Sequence, residues 1–235
     1  PADKTSPEQF REIYKNLGFD KADSFFTPKP GNKGGMLSYA ANLGDAYRLI
    51  VVDSCIYSKD NGSSGDEHLT DGRIGDDLLA WIVDEAAKAK ADGREIIAMQ
   101  HHNLIPHMDI EVATFYAFVV DDWQRIADTY ADAGIHHVFT GHLHSTDLVD
   151  HISDNGEVVY DILTPTLTGY PNTYRIVDFS TDGKNTTMKM ATHDIDEYQP
   201  VISDYGEVHE KPFKFTYSFE RTFGEGGVEG LIMNM

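Results

Sequence analysis

The chain has 235 residues, of which 40% are hydrophobic and 11% aromatic, enough for one sizeable core with or without a short appendage. With 39 acidic against 19 basic residues the formal charge is −20, so the surface repels nucleic-acid backbones and anionic membranes and draws in cations. Its single cysteine, Cys55, excludes an internal disulfide, and no apolar stretch is long enough to cross a bilayer.

The chain opens on Pro1-Ala2-Asp3 with no initiator methionine and enters a helical pattern at once, which reads as part of something longer. Ser6-Pro7-Glu8-Gln9 is an N-cap followed by proline at the first helical position, and Phe10, Ile13, Tyr14 and Leu17 follow at helical spacing. Residues 27–36 are a Pro/Gly loop. The apolar run Leu49-Ile50-Val51-Val52, ending at Asp53-Ser54, reads as a buried strand, and Cys55 just beyond it as a buried structural thiol. A polar, glycine-rich loop (59–72) precedes an amphipathic helix from Asp76 to Lys90, stopped by Asp92-Gly93.

Glu95 to Met99 is a second buried strand that runs straight into Gln100-His101-His102. A helix carrying Trp123, Ile126, Ala127 and Tyr130 stops near Gly134, and His137 to Thr140 is a short strand ending at Gly141-His142-Leu143-His144. Val158 to Leu163, Tyr174 to Phe179 and Thr187 to Ala191 are further strands, joined by turns at Asp154-Asn155-Gly156 and Thr181-Asp182-Gly183. Strand–helix alternation followed by strands alone indicates an α/β sandwich rather than a simple doubly wound sheet. The tail is acidic and aromatic, with a Gly-rich stretch at 224–230. Residues 1–195 are therefore expected to form one domain portion, and 196–235 an extension that could begin another.

The placement of the histidines carries the chemistry. Residues just past the carboxyl ends of strands in an α/β sheet face the ligand crevice. His101-His102 and His142-x-His144 each follow such a strand, with one helix between, so three imidazoles are expected to converge. Neutral imidazole is a ready ligand for zinc, iron and manganese. The i, i+2 spacing of His142 and His144 would put both rings on one side of an extended segment, and Gly141 would let the backbone approach closely. His136-His137 is given no role.

Taken in order, Gln100-His101-His102-Asn103-Leu104-Ile105-Pro106-His107 and Phe139-Thr140-Gly141-His142-Leu143-His144 resemble the carboxyl-terminal blocks of the calcineurin-like metallophosphoesterase family. Leu49–Ser54, Trp81 and the segment 163–175 add to the likeness, which covers roughly residues 5–195. The resemblance implies part of a four-layer α/β/β/α sandwich, incomplete here. It also implies two divalent metal ions (manganese, iron or zinc) in the intact protein, acting on a small phosphomonoester or phosphodiester. By the family pattern His101 and His142 would bind one ion and His144 the other. His102 would support them or face substrate, with its role and that of His101 open to exchange, and Tyr170 and Asn172 would line the pocket. No residue is assigned as catalytic. The same likeness favours an extracellular or cell-surface location.

The family's early blocks are not matched. No Gly-Asn-His is present, while Asp66-Glu67-His68 and Gly75-Asp76 lie in a polar loop and at a helix start, too close together to serve. The isolated chain is therefore expected to bind metal weakly and to show little or no phosphoesterase activity. Two other readings remain open: a non-catalytic metal- or ligand-binding module, and a mononuclear metallohydrolase using three histidines. Substrate, metal identity and oligomeric state are not legible.

Overall fold

The computed structural model describes residues 5–30, 34–56, 70–167, 172–181 and 185–195. Helix α1 (Pro7–Ile13) begins where expected, its capping box closed by Ser6 and Gln9. It ends sooner than the apolar spacing suggested. Leu17 falls in a separate 3₁₀ turn that stops at Gly18, whose φ of 126° only glycine adopts freely. Strands β1 (Ser24–Phe25), β2 (Tyr39–Leu43) and β3 (Tyr47–Val52) follow, then helix α2 (Asp76–Ala91), strand β4 (Glu95–Gln100) and helices α3 (Glu111–Thr114) and α4 (Trp123–Asp132). Strands β5 (His137–Thr140), β6 (Asp147–Ile152), β7 (Val158–Leu163), β8 (Thr173–Thr181) and β9 (Thr186–Asp194) complete the described elements. Of these, β1, β2, α3 and β6 were not expected from the sequence. The extension 196–235 and the turn at 182–184 lie outside the described residues.

The main sheet has seven strands in the order β1-β2-β3-β4-β5-β7-β6. Its centre, β3, β4, β5 and β7, is parallel, while β2 and β6 pair antiparallel at the flanks. Both faces of a parallel centre must be covered, which is why these strands read as continuous apolar runs. On one face Ile50, Val52, Ala98 and Val138 pack with Leu78, Ile82 and Ala86 of α2 and Ile126 and Tyr130 of α4. On the other face Phe179 of β8 meets Tyr47, His137 and Phe139, with ring centroids 5.8, 5.3 and 6.3 Å apart. The small sheet β8–β9 therefore covers the face opposite the helices. The described residues thus form helices, sheet and sheet in successive layers, a mixed α/β fold of the class expected. Cys55 is partly exposed rather than buried, lying in a single bridge to Gly72. Among the described residues no helix is long and apolar enough to cross a membrane.

At the amino-terminal end of β3, Arg48 and Glu85 form a buried ion pair, with side chains 8% and 0% exposed. The guanidinium also grips Asp23 at 2.7 Å and Asn42 at 2.9 Å, which ties the β1–β2 edge to helix α2. Burial pushes the Glu85 carboxyl up, but hydrogen bonds from Lys88, Arg48 and Ser24 outweigh it and hold the group ionised. Removing one partner of such a pair strands the other charge, so Glu85→Ala should cost about 3–5 kcal/mol in urea unfolding. The paired change Arg48→Met with Glu85→Leu should recover most of that loss. A loss under about 1 kcal/mol for Glu85→Ala would mean that Arg48 finds enough compensation in Asp23 alone.

Candidate metal centre

The parallel strands β3, β4, β5 and β7 all end on the same side, and they deliver Ser54, His101-His102, Gly141-His142 and Thr164 to one rim. The strand ends are laced together: Gly141 N–H donates to the His101 carbonyl and Thr164 N–H to the Thr140 carbonyl, each at 2.9 Å. The rings of His101, His102 and His142 then form a triangle with centroid separations of 4.6, 4.8 and 5.2 Å. Nε2 of His101 and Nδ1 of His142 face each other at 2.7 Å. Phe118 closes one side, its ring 4.5 Å from that of His142.

His102 lies behind the other two rings. It is 2% exposed, Nε2 lies 2.9 Å from the Thr70 carbonyl, and Nδ1 lies 2.7 Å from Ser54 Oγ. A carbonyl only accepts, so Nε2 carries the proton and Nδ1 accepts from the Ser54 hydroxyl. In this arrangement both nitrogens have partners, Ser54 Oγ and the Thr70 carbonyl. Burial, with the neighbouring charges of His142 and His101, lowers its pKa to about 4. The close approach expected at Gly141 occurs at Gly72 instead. A Cβ on Gly72 would stand 2.4 Å from His102 Cγ, whereas one on Gly141 would meet His101 at an ordinary 3.6 Å.

His142 is lowered to about 4 by burial and then by His101 and His144, and burial lowers His101 as well. Both are neutral at pH 7, the state that coordinates metal. In a tetrahedral shell two nitrogen ligands at about 2.1 Å span about 3.4 Å, so the pair, at 2.7 Å, would have to open before both could hold one ion. Nε2 of His142 is buried without a hydrogen-bond partner. His144 does not close the set. His142 and His144 have φ of 41° and 55°, so the segment bends at each rather than running extended, and the rule that puts i and i+2 on one side fails. His144 is exposed and acts on the pair through its charge, with no hydrogen bond or ring contact to it. Among the described residues no three His, Cys, Asp or Glu side chains are grouped to hold an ion. The residues present fit two corners, not a shell.

Asn172 turns its amide onto the Leu167 carbonyl and closes its own loop. Tyr170 and Asp66-Glu67-His68 lie outside the described residues. Gly75 caps α2, and Asp76 points to solvent with an ion pair to Arg125, away from the histidines.

The polar network behind the rim was not legible in the sequence. Asp161 of β7 is 0% exposed and accepts from Leu104 N–H at 2.6 Å, Ile105 N–H at 3.0 Å and the Thr140 hydroxyl. His107, with a side chain 1% exposed, lies between Asp147 at 3.1 Å and Asp161 at 3.4 Å. Glu111 is buried beside them and accepts from Asn103 Nδ2 and His107 N–H. Burial works against a charged His107 ring, but the hydrogen bond with Asp147 and the nearby charges of Asp161 and Asp147 raise its pKa to about 9.

Opposed pH dependences follow from these shifts. The folded pKa of His107 lies above its ordinary 6.5, so its contribution is complete below pH 6.5, falls as pH rises and is gone above about 9. That gap is worth on the order of 3 kcal/mol. His102 and His142 are shifted the other way; their contribution is complete above 6.5 and is lost as pH falls toward 4. Urea unfolding between pH 4 and 10 should show a maximum near 6.5, and His107→Gln should flatten only the alkaline limb. An unchanged alkaline limb in that variant would contradict the charge assigned to His107.

No protein-family model matches this chain, and no curated protein matches it. Among solved structures the chain is similar to a dimetal phosphatase from Danio rerio, at a TM-score of 0.44 and 12% sequence identity, over 67% of this chain and 60% of that one. The chain therefore spans about 60% of that protein's length.

Proposed function

We propose that the chain forms part of a metal-dependent hydrolase of small phosphoesters, with His101 and His142 holding a divalent cation. The observation that carries this reading is the meeting of Nε2 of His101 with Nδ1 of His142 at 2.7 Å, both rings kept neutral, at the ends of adjacent parallel strands. The ordered likeness of the two histidine blocks to the metallophosphoesterase pattern supports the same reading.

A bound divalent ion would polarise a phosphoryl oxygen and acidify a bound water. His101 would hold it through Nε2 and His142 through Nδ1, each having first parted from the other by a few tenths of an ångström. His102, Ser54 and the Thr70 carbonyl form the rigid backing that keeps the His142 ring from turning away. Phe118 shields one side of the His142 ring and lowers the local dielectric, which strengthens interactions with a phosphoryl group. The net charge of −20 opposes polyanionic substrates and favours a small ester. An extracellular or cell-surface location belongs to this proposal by the sequence likeness alone.

Titration calorimetry with Mn²⁺ tests the reading directly. Two imidazoles without a carboxylate should bind weakly, and His101→Ala or His142→Ala should each remove the binding. Turnover of an aryl phosphate with Mn²⁺ should be slow and should vanish in both variants. Mn²⁺ binding that persists unchanged in both would overturn the metal site. Binding lost in both variants, with no turnover in the wild-type chain, would instead identify a metal-binding module.

A further inference from the structure

We propose that His107 is a positioning residue which, with Asp147 and Asp161, fixes the separation of the His101 and His142 imidazoles. The consequence for metal affinity rests on the function proposed above; the clamp itself is a property of the metal-free chain.

Two segments bring the facing nitrogens together. One leaves β4 at His101 and turns through Asn103–His107; the other leaves β5 at Thr140, carries His142 and His144, and enters β6 at Asp147. A single carboxylate, Asp161, holds both. Its Oδ2 receives the N–H groups of Leu104 and Ile105 from the first segment, and its Oδ1 receives the hydroxyl of Thr140 at the head of the second. His107 then spans the second segment's far end, with Nδ1 on Asp147 and Nε2 facing Asp161 Oδ1. The histidine-bearing stretch 141–146 is thus pinned at both ends to the segment that carries His101.

The clamp needs a cation. Asp161 is fully buried and Asp147 largely so, and a neutral His107 could donate to only one of them. Glu111, which receives the His107 main-chain N–H, adds a third buried carboxyl, whose pKa burial raises. Arg175 approaches from β8, donates to the carbonyls of Asp147 and Leu163, and its charge also helps hold the Asp147 carboxyl low. A ligand network placed behind a metal site commonly changes affinity 10–100-fold when cut.

The test uses the whole 235-residue chain without metal. Imidazole ¹⁵N spectra report whether His101 Nε2 and His142 Nδ1 share a hydrogen bond. His107→Gln should abolish that signature, and Asp147→Asn, at a partly exposed strand start that tolerates the change, should weaken it. Glu85→Gln breaks a buried ion pair at the opposite end of the sheet and should lower stability without touching the signature, which separates positioning from general loosening. Mn²⁺ affinity should fall about tenfold in His107→Gln and less in Asp147→Asn. Should His107→Gln fail to fold, Asp147→Asn decides. An unchanged histidine signature in the folded variants overturns the clamp, even if Mn²⁺ binds. A signature that depends on His107 in a chain that binds no Mn²⁺ leaves the clamp standing and removes the metal reading.

Discussion

The buried carboxylate of Asp161 is the constraint on which the rim depends. An ionised group inside a sheet-and-helix interior costs several kcal/mol unless donors surround it. Three donors do so here: two main-chain N–H groups and one hydroxyl. The turn after β4 must therefore aim Leu104 and Ile105 N–H groups inward, and Thr140 must present its hydroxyl toward β7. Those two requirements bring the ends of β4 and β5 to a common point, and His101 and His142 stand on those ends. The facing imidazoles follow from satisfying a charge that neither of them touches.

The two ends of the sheet solve the same problem with different chemistry. Glu85 is neutralised by Arg48 at one end, Asp161 by His107 at the other, and each cation reaches a second aspartate that starts or flanks an edge strand. Both clamps fasten an antiparallel edge to the parallel centre. Arginine stays charged at every accessible pH, whereas an imidazolium does not. The structural end therefore loses its charges only in acid, where Glu85 and Asp23 protonate, whereas the end carrying the histidine rim also responds on the alkaline side. The concavity of about 440 Å³ at the arginine end is lined by Asp23, Asn42, Arg48, Glu85 and Lys88, all committed to one another. Its polar groups already answer each other, so it offers little to a ligand.

The parallel centre was legible because burial on both faces imposes continuous apolar runs, as in Leu49–Val52 and Ile96–Met99. Helices α2 and α4 were legible from their periodicity and stop signals. The flanking strands were not. Tyr39–Leu43 reads Tyr-Ala-Ala-Asn-Leu, without β-branched residues, and Asp147–Ile152 interleaves two aspartates and a histidine. The meeting of histidines at neighbouring strand ends could be anticipated from strand order, and the pairing of His101 with His142 from the family likeness. His107, Asp147, Asp161 and Glu111 could not, because charged residues in a sequence read as surface, and only the fold shows that these four satisfy one another.

The path of the chain explains why His144 stands apart. β7 lies between β5 and β6 in the sheet, so residues 141–146 must cross over its end, a span of about 10 Å at the usual strand spacing. Six residues could reach about 20 Å, so length is in excess and the surplus must be folded away. It is taken up by left-handed bends at His142 and His144, a conformation that costs non-glycine residues of order 1 kcal/mol or more. Such bends persist only between fixed points, and Thr140 and Asp147 are those points, both tied to the Asp161–His107 network. The first bend swings the His142 ring back over the end of β4; the second turns the chain again before His144 can follow. The bends and anchors that bring one imidazole to His101 are thus the reason the other is left exposed.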